Sequence, residues 1–234
     1  MQIIPAILEK DFSQVRKKIE LCQGVFDLVQ IDICDGVLVR NITWQNAKDL
    51  EKLSMSVDLE IHLMVSDPIE VIPQWSHKLV KRIIFHIEAE SNPFDTLALI
   101  KKIKKEAGIA INPSTPLAKL EGFVPELCSE VLFLGVEPGS QGQGFQVSVL
   151  GKIKQFRKSF PGIKIGVDGG VNLLVAPQLI EAGIDYLVVG SYFWKNLSGY
   201  PREEQKVRIK KLSRAIKFSQ KSSKFKNFFC RPLK

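Results

Sequence analysis

The sequence predicts a (β/α)8 barrel, a closed sheet of eight parallel strands covered by helices. Short runs rich in Val, Ile, Leu and Phe alternate with longer amphipathic stretches along the chain, which is the pattern of repeated βα units. Eight such runs fit in 234 residues, close to the length of about 250 residues that is typical of this barrel. An open doubly wound sheet is the alternative, but it is expected to carry GxGxxG after its first strand, where this chain has ILEKDF.

Each predicted strand is one of the short apolar runs. In chain order the strands are 3–8, 27–33, 57–64, 82–87, 108–112, 130–136, 163–168 and 185–190. The helical stretches between them include 12–22, 44–53, 94–107, 147–158 and 173–182. Asn92 and Pro93 are start signals for the helix at 94–107, and Gly108 is its predicted stop signal. Gly183 is the corresponding stop signal after 173–182.

The positive charge of the chain is concentrated at its C-terminal end. The whole sequence has 33 Lys and Arg against 25 Asp and Glu, a net charge of +8. Residues 201–234 hold 12 basic and two acidic residues, so the preceding 200 residues carry about −2. Ile209, Leu212 and Ile216 have helical spacing there, which predicts a last helix packed by one face.

We therefore expect one barrel domain over residues 1–220 and a frayed or disordered basic tail over 221–234. A basic tail can attract polyanions. RNP motifs and zinc-finger spacing are absent from the sequence, so no specific nucleic-acid recognition is expected. Tethering to nucleic acid through the tail stays open as a minor alternative.

The cysteines and the apolar runs indicate the cellular compartment. Cys22, Cys34, Cys128 and Cys230 form no CxxC pair, which favours free thiols in a reducing compartment. No apolar run reaches the roughly 18 residues that a membrane span needs, and the N-terminus lacks a basic signal-peptide region. A cytoplasmic protein without a membrane partner is the resulting expectation.

Polar side chains occur near the C-terminal ends of three predicted strands, where barrels of this class place their active sites. The alternation of the second strand puts Gln30, Asp32 and Cys34 on one face, and that of the third strand puts His62 on the equivalent face. The seventh strand ends at Asp168. Because the apolar residues of these strands should face the helices, Asp32 and His62 are expected to point into the barrel.

Asp32, His62 and Asp168 are thus expected to meet at one end of the barrel. Two carboxylates and an imidazole could bind a divalent cation, or the carboxylates could exchange protons with a substrate from opposite sides. A buried polar network that only fills the barrel is the alternative, although buried unpaired acids are costly. His86, a lone inward histidine on the fourth strand, is predicted to be a satisfied core group or a partner behind the site.

Glycine-rich turns follow the last three strands and predict a phosphate site. Glycine lets backbone amides approach a ligand closely, and the loops after strands seven and eight commonly bind phosphate in this fold. The residues concerned are Gly139, Gly142 and Gly144 after strand six, Gly169 and Gly170 after strand seven, and Gly190 and Ser191 after strand eight. Together they predict a small phosphorylated ligand.

These motifs resemble, in order, those of the ribulose-phosphate 3-epimerase family. The chain reads IPAIL, QIDICDG, RNITW, EIHLM, FHIEA, NPSTP, EPGSQGQGF, VDGGV and VGS between Gln2 and about Lys195. The resemblance implies an isomerase, assembled as a homo-oligomer, that interconverts the phosphorylated ketopentoses D-ribulose 5-phosphate and D-xylulose 5-phosphate with one divalent metal ion (Zn, Fe, Mn or Mg).

By the same resemblance, site roles can be assigned residue by residue. Asp32 and Asp168 are similar to the family's acid/base pair, and Asp32, His62 and Asp168 to its metal ligands. The substrate and phosphate cradle that the resemblance implies consists of His62, Gly139, Gly142, Asp168, Gly169, Gly170, Gly190 and Ser191.

Four positions depart from the family pattern. Gln30 stands where the family has a histidine metal ligand, Ala6 where PSIL has serine, Cys34 where MDG has methionine, and Gln141 where the family has glycine. A neutral amide oxygen is expected to weaken zinc or iron binding and to favour Mg²⁺ or Mn²⁺. A barrel that binds a phosphosugar without efficient epimerisation, or that acts on another ketose phosphate, therefore stays open.

Overall fold

A computed structural model describes residues 1–54, 57–124, 126–128 and 130–218 of the chain. Eight parallel strands form a closed barrel in which each strand pairs with the next and the last pairs with the first. They are β1 (Gln2–Ile7), β2 (Leu28–Cys34), β3 (Asp58–Met64), β4 (Val80–His86), β5 (Glu106–Ile111), β6 (Glu130–Leu134), β7 (Lys164–Asp168) and β8 (Tyr186–Val189). The predicted (β/α)8 barrel is confirmed, and the open sheet is excluded.

Helices cover the outside of the barrel. The α-helices are α1 (Phe12–Cys22), α2 (Pro68–Val71), α3 (Pro93–Lys102), α4 (Ser148–Ser159), α5 (Ala176–Glu181), α6 (Ser191–Leu197) and α7 (Arg202–Phe218). Short 3-10 helices span Ala47–Lys52, Ile72–Trp75 and Leu117–Leu120. Asn92 caps α3 as expected, because its side chain accepts a hydrogen bond from the Phe94 backbone at 2.9 Å.

Two helix predictions need correction. The predicted helix at 44–53 is only a 3-10 helix over Ala47–Lys52, and the Asn46 side chain makes no capping hydrogen bond to start an α-helix there. The predicted helix at 94–107 ends at Lys102, because Lys104 adopts a left-handed φ of 59° and β5 begins two residues later. Gly108, the predicted stop signal, lies inside β5.

The alternation of side chains along the strands sorts the core into two layers. Val29, Ile31 and Ile33 of β2 belong to the large apolar cluster between the barrel and its helices. The interior of the barrel has its own smaller apolar cluster, to which Leu28 and Ala6 belong. The outward direction of the apolar residues is therefore as predicted, and it leaves the alternate polar positions of the strands inside the barrel.

The last helix packs by one face, as its apolar spacing predicts: Ile209, Leu212 and Ile216 of α7 are all buried. Cys22, Cys34 and Cys128 are free cysteines. The predicted basic tail at 221–234, with Cys230, lies outside the described residues. Among the helices that the structure describes, none combines the length and the apolar character needed to cross a membrane.

Candidate active site

Three strands bring Asp32, His62 and Asp168 together at the C-terminal end of the barrel. The register of β2 and β3 pairs Asp32 directly with His62, and Asp168 is the last residue of β7. The His62 Nδ1 atom lies 3.1 Å from Asp32 Oδ1 and 3.6 Å from Asp168 Oδ2. One ligand atom from each residue lies within 4.8 Å of the other two, so the group could hold a metal ion.

Gln30 lies between the two carboxylates. Its Nε2 atom donates hydrogen bonds to Asp32 Oδ1 at 2.6 Å and to Asp168 Oδ2 at 2.7 Å, and lies 3.3 Å from His62 Nδ1. Its Oε1 atom is buried and has no hydrogen-bond partner among the described residues. The alternation of β2 places Gln30 on the same face as Asp32, but it does not reveal the contact with Asp168 across the barrel.

Burial sets the proton affinities of the site. It raises the pKa of Asp32 to about 7, against the opposing effect of the hydrogen bond from Gln30. It also raises the pKa of Asp168 to about 7, and the nearby charge of Asp32 acts in the same direction. Burial lowers the pKa of His62, which keeps this ring neutral at pH 7. Near neutral pH one carboxyl group of the pair can therefore hold a proton while the other is ionised.

The predicted glycines line the same pocket as the acidic pair. The pocket is bounded by Asp32, His62 and Asp168 and by all the predicted cradle residues Gly139, Gly142, Gly169, Gly170, Gly190 and Ser191. Gly170 has a φ of +69°, and a side chain there would lie 2.6 Å from the Phe145 backbone nitrogen. Glycine is required at this turn by both its backbone conformation and the space available. Gly144, by contrast, does not line the pocket.

Two of the other three departures from the family pattern, Gln141 and Cys34, are accommodated by the structure. Gln141 is not strained, because Lys104 is the one non-glycine residue with positive φ in the described ranges. Its amide instead packs over Gly190, where an added Cβ would lie 2.7 Å from Gln141 Nε2. Cys34 packs with Val39 and Met64, and burial keeps the pKa of its thiol above the usual range.

His86 lies behind His62, as a partner rather than as a member of the acidic group. Its Nε2 atom is 2.9 Å from His62 Nε2, and its Nδ1 atom is 3.2 Å from Glu88 Oε2. Both ring nitrogens are therefore satisfied, as predicted for a buried histidine. The role of Glu88 is missed by sequence reasoning, although the acid two positions after His86 in FHIEA is a signal that could have found it.

A second buried charged cluster fills the interior below the site. Arg82 Nη1 donates to Glu60 Oε2 at 2.7 Å and to Glu130 Oε1, and the Tyr186 hydroxyl group donates to Glu130 Oε1 at 2.5 Å. None of these residues lines the pocket at the mouth of the barrel. Glu60 lies two positions before His62 and so on the same inward face of β3, but this cluster was not predicted from the sequence.

Together the fold and the site define a (β/α)8 barrel with a cation-competent acidic pair beside glycine-rich turns. Comparison with known proteins narrows this class, since residues 2–194 match the sequence profile of the Ribulose-phosphate 3 epimerase family. The chain is 35% identical over 198 residues to the ribulose-phosphate 3-epimerase of Bacillus subtilis, covering 82% of this chain and 91% of the relative. It is 33% identical over 215 residues to that of Buchnera aphidicola, covering 89% and 93%. The chain belongs to the ribulose-phosphate 3-epimerase family.

More distant solved structures share only the fold. A mutant tryptophan synthase α-subunit from Pyrococcus furiosus superimposes with a TM-score of 0.68 at 13% identity, covering 92% of this chain and 97% of that one. At this level of identity the similarity supports the barrel architecture and carries no information about the reaction.

Proposed function

We propose that this chain is a ribulose-phosphate 3-epimerase that interconverts D-ribulose 5-phosphate and D-xylulose 5-phosphate. The observation that carries the proposal is the pair of Asp32, which is buried, and Asp168, which is partly buried; both line one pocket and have pKa values raised to about 7. A group that exchanges protons at neutral pH works best when its pKa lies near that pH. The family membership of the chain supports the same reaction.

The two aspartates divide the proton transfers between them. Epimerisation begins when the ionised carboxylate takes the proton from C3, and the electrons of the C–H bond form a C2–C3 double bond. The C2 oxygen then carries the negative charge of an enediolate. The other aspartate, protonated at the start, returns a proton to the opposite face of C3 and is left ionised. Asp32 and Asp168 exchange protonation states in one turnover, so atoms and charge balance.

The donor set fits a divalent metal ion. Asp32, His62 and Asp168 would hold it, and the unpartnered Oε1 atom of Gln30 would become a further ligand if the amide turned over. When bound, such an ion supplies positive charge beside the oxygen that becomes negative. With one imidazole among oxygen donors, we propose a preference for Mg²⁺ or Mn²⁺ over zinc or iron.

The substrate's phosphate group would bind at the glycine-rich turns. Gly170, Gly190 and Ser191 line the pocket beside the acidic pair, and glycine leaves room for a ligand to approach backbone amides. This placement would put the sugar carbons next to Asp32 and Asp168. Assembly as a homo-oligomer and a cytoplasmic location stay predictions.

The direct test is incubation of the purified protein with ribulose 5-phosphate in deuterated water, with and without added Mg²⁺, Mn²⁺ or Zn²⁺. We expect xylulose 5-phosphate to form with deuterium at C3, because the proton returned comes from a group in exchange with solvent. Binding of the sugar phosphate without exchange would support a phosphosugar-binding barrel instead. Deuterium exchange seen only with another ketose phosphate would show that ribulose 5-phosphate is not the substrate and that the other ketose phosphate is.

The Gln30→His variant tests the proposed metal preference. An imidazole at this inward position should raise zinc affinity, because imidazole suits zinc better than a neutral amide oxygen does. Calorimetric titration with Zn²⁺ and Mn²⁺ measures the change. Gln178→His, which adds an imidazole at an exposed position on α5, is the matched control. If neither the natural protein nor Gln30→His binds a divalent ion at millimolar concentration, the metal part of the proposal is wrong.

A further inference from the structure

A chain of hydrogen bonds runs from His62 away from the pocket and ends at the backbone after β5. The Asn112 backbone N–H donates to Glu88 Oε1 at 2.9 Å. Burial raises the pKa of Glu88, but the contact with His86 and hydrogen bonds with Thr115 and the Asn112 backbone outweigh it and hold the pKa below its usual value, so this side chain is a carboxylate. A carboxylate only accepts hydrogen bonds. Glu88 is therefore the acceptor that sets the donor-to-acceptor direction of these hydrogen bonds.

The same donor-to-acceptor direction then applies to the hydrogen bonds of the His86 and His62 rings. His86 Nδ1 lies 3.2 Å from Glu88 Oε2, so Nδ1 must carry the proton of a neutral His86 ring. The Nε2 atom of His86 is then an acceptor. His62 Nε2 lies 2.9 Å from it, and because two lone pairs cannot share a hydrogen bond, His62 Nε2 must be the donor.

The consequence appears at the other side of the His62 ring. With its proton on Nε2, neutral His62 has a lone pair on Nδ1, the atom that lies 3.1 Å from Asp32 Oδ1 and 3.6 Å from Asp168 Oδ2. The Gln30 Nε2 group lies 3.3 Å away, but its two hydrogens are donated to Asp32 and Asp168, so the Nδ1 lone pair is left for a cation. In the opposite arrangement the lone pair of His86 Nδ1 would face the Glu88 carboxylate.

We propose that His86 and Glu88 are positioning residues that keep the proton of His62 on Nε2 and so aim the Nδ1 lone pair at the space between Asp32 and Asp168. The consequence for metal binding rests on the proposed function, whereas the assignment of the His62 proton to Nε2 does not. Orienting a histidine ligand through the hydrogen bond at its other nitrogen is a common way to tune a metal site.

The far end of this chain is itself anchored. Lys152, on α4, donates through Nζ to the Asn112 carbonyl oxygen at 2.6 Å and to the Thr115 carbonyl oxygen. These bonds hold the segment after β5 against α4, with the Asn112 N–H toward Glu88. Glu88, the acceptor that sets the direction of the hydrogen bonds, is thus held by the backbone N–H of Asn112 and not by another rotatable side chain.

The Glu88→Gln variant should reverse the donor and acceptor roles in these hydrogen bonds. A glutamine has one oxygen, which the Asn112 N–H requires, so its NH₂ group would face His86 Nδ1. His86 would then carry its proton on Nε2 and donate to His62 Nε2. The proton of His62 would move to Nδ1, the atom that faces Asp32 and Asp168.

The test is ¹⁵N NMR of the imidazoles in metal-free protein, where protonated and unprotonated ring nitrogens have distinct shifts. The chain has three histidines, so a His77→Gln background leaves only the rings of His62 and His86. We expect a protonated Nε2 on His62, and a protonated Nδ1 after Glu88→Gln. Glu90→Gln, at an exposed carboxylate two residues further on, should keep the natural pattern.

A second readout is the affinity for Mn²⁺ alone, followed by electron paramagnetic resonance. Glu88→Gln should weaken it by about 10 to 100-fold, while Glu90→Gln leaves it unchanged. Protonated Nδ1 on His62, or a doubly protonated His86, in the natural protein would overturn the proposal without any variant. The expected proton positions in a protein that lacks epimerase activity would instead count against the proposed function alone.

Discussion

The barrel contains two pairs of carboxyl groups, one in its interior and one at its mouth, and the surroundings of the two pairs differ. The lower pair, Glu60 and Glu130, shares the guanidinium group of Arg82. The mouth pair, Asp32 and Asp168, is joined by a neutral amide and lies beside a neutral imidazole. In the described part of the chain, no lysine or arginine forms an ion pair with either member of the mouth pair.

A raised pKa does not by itself distinguish the two pairs. Burial raises the pKa of Glu60 to about 8 even though Arg82 opposes it, and it raises the pKa of Asp32 to about 7. The difference is access to the pocket. Asp32 and Asp168 line it, whereas Glu60 is completely buried and does not. Perturbed proton affinity indicates function where it coincides with an open pocket and with charge that the protein leaves without a permanent counterion.

The largest expected effect is on turnover by the mouth pair. Asp168→Asn should lower the epimerisation rate by about 10² to 10⁴-fold, because an amide cannot accept or return the proton at C3. The rate with ribulose 5-phosphate and the bound metal are measured together, since Asp168 is also a proposed ligand. Circular dichroism checks that the barrel stays folded. Near-normal turnover in folded Asp168→Asn would remove Asp168 from the reaction.

For the lower pair we expect a loss of stability rather than a loss of epimerisation rate. Arg82→Leu should cost about 3 to 5 kcal/mol in the free energy of unfolding, because it leaves Glu60 and Glu130 buried without their cation. Urea denaturation measures this. Arg16→Leu is the control, since Arg16 is 54% exposed in its pair with Glu20 and should change stability by less than about 1 kcal/mol. Equal costs for the two variants would contradict the described role of Arg82.

The smallest effect concerns the pH dependence of stability. Because the pKa of Glu60 is raised in the folded state from 4.5 to about 8, its contribution is fully present below about pH 4.5 and is lost as pH rises through about 8. Glu60→Gln should remove part of that loss, so the variant should gain about 1 kcal/mol or more over the natural protein between pH 5 and pH 9.

Urea denaturation of both proteins at several pH values in that range, without metal, tests this expectation. Glu106→Gln removes an Arg82 partner that is 50% exposed and should leave the profile nearly unchanged. Parallel profiles for Glu60→Gln and the natural protein would show that Glu60 does not titrate in this range.

Much of the site could be predicted because it depends on local pattern. The alternation of β2 and β3 directs Asp32 and His62 into the barrel, and the position of Asp168 before two glycines marks the mouth. What could not be predicted depends on contacts between strands that are not neighbours. The contact of Gln30 with Asp168 and that of Arg82 with Glu130 join strands that do not pair with each other, and their reach depends on barrel diameter and rotamers.

The amide of Gln30 also bears on the stability of the barrel before the proposed metal ion binds. Where a metal is the only group that holds ligands together, a small domain unfolds without it. In this barrel the Nε2 group of Gln30 already donates to both Asp32 and Asp168. We expect chelator-treated protein to keep the native barrel at room temperature and to unfold in one cooperative transition on heating. Circular dichroism during heating measures this. Folded protein could then accumulate before the proposed Mg²⁺ or Mn²⁺ ion binds.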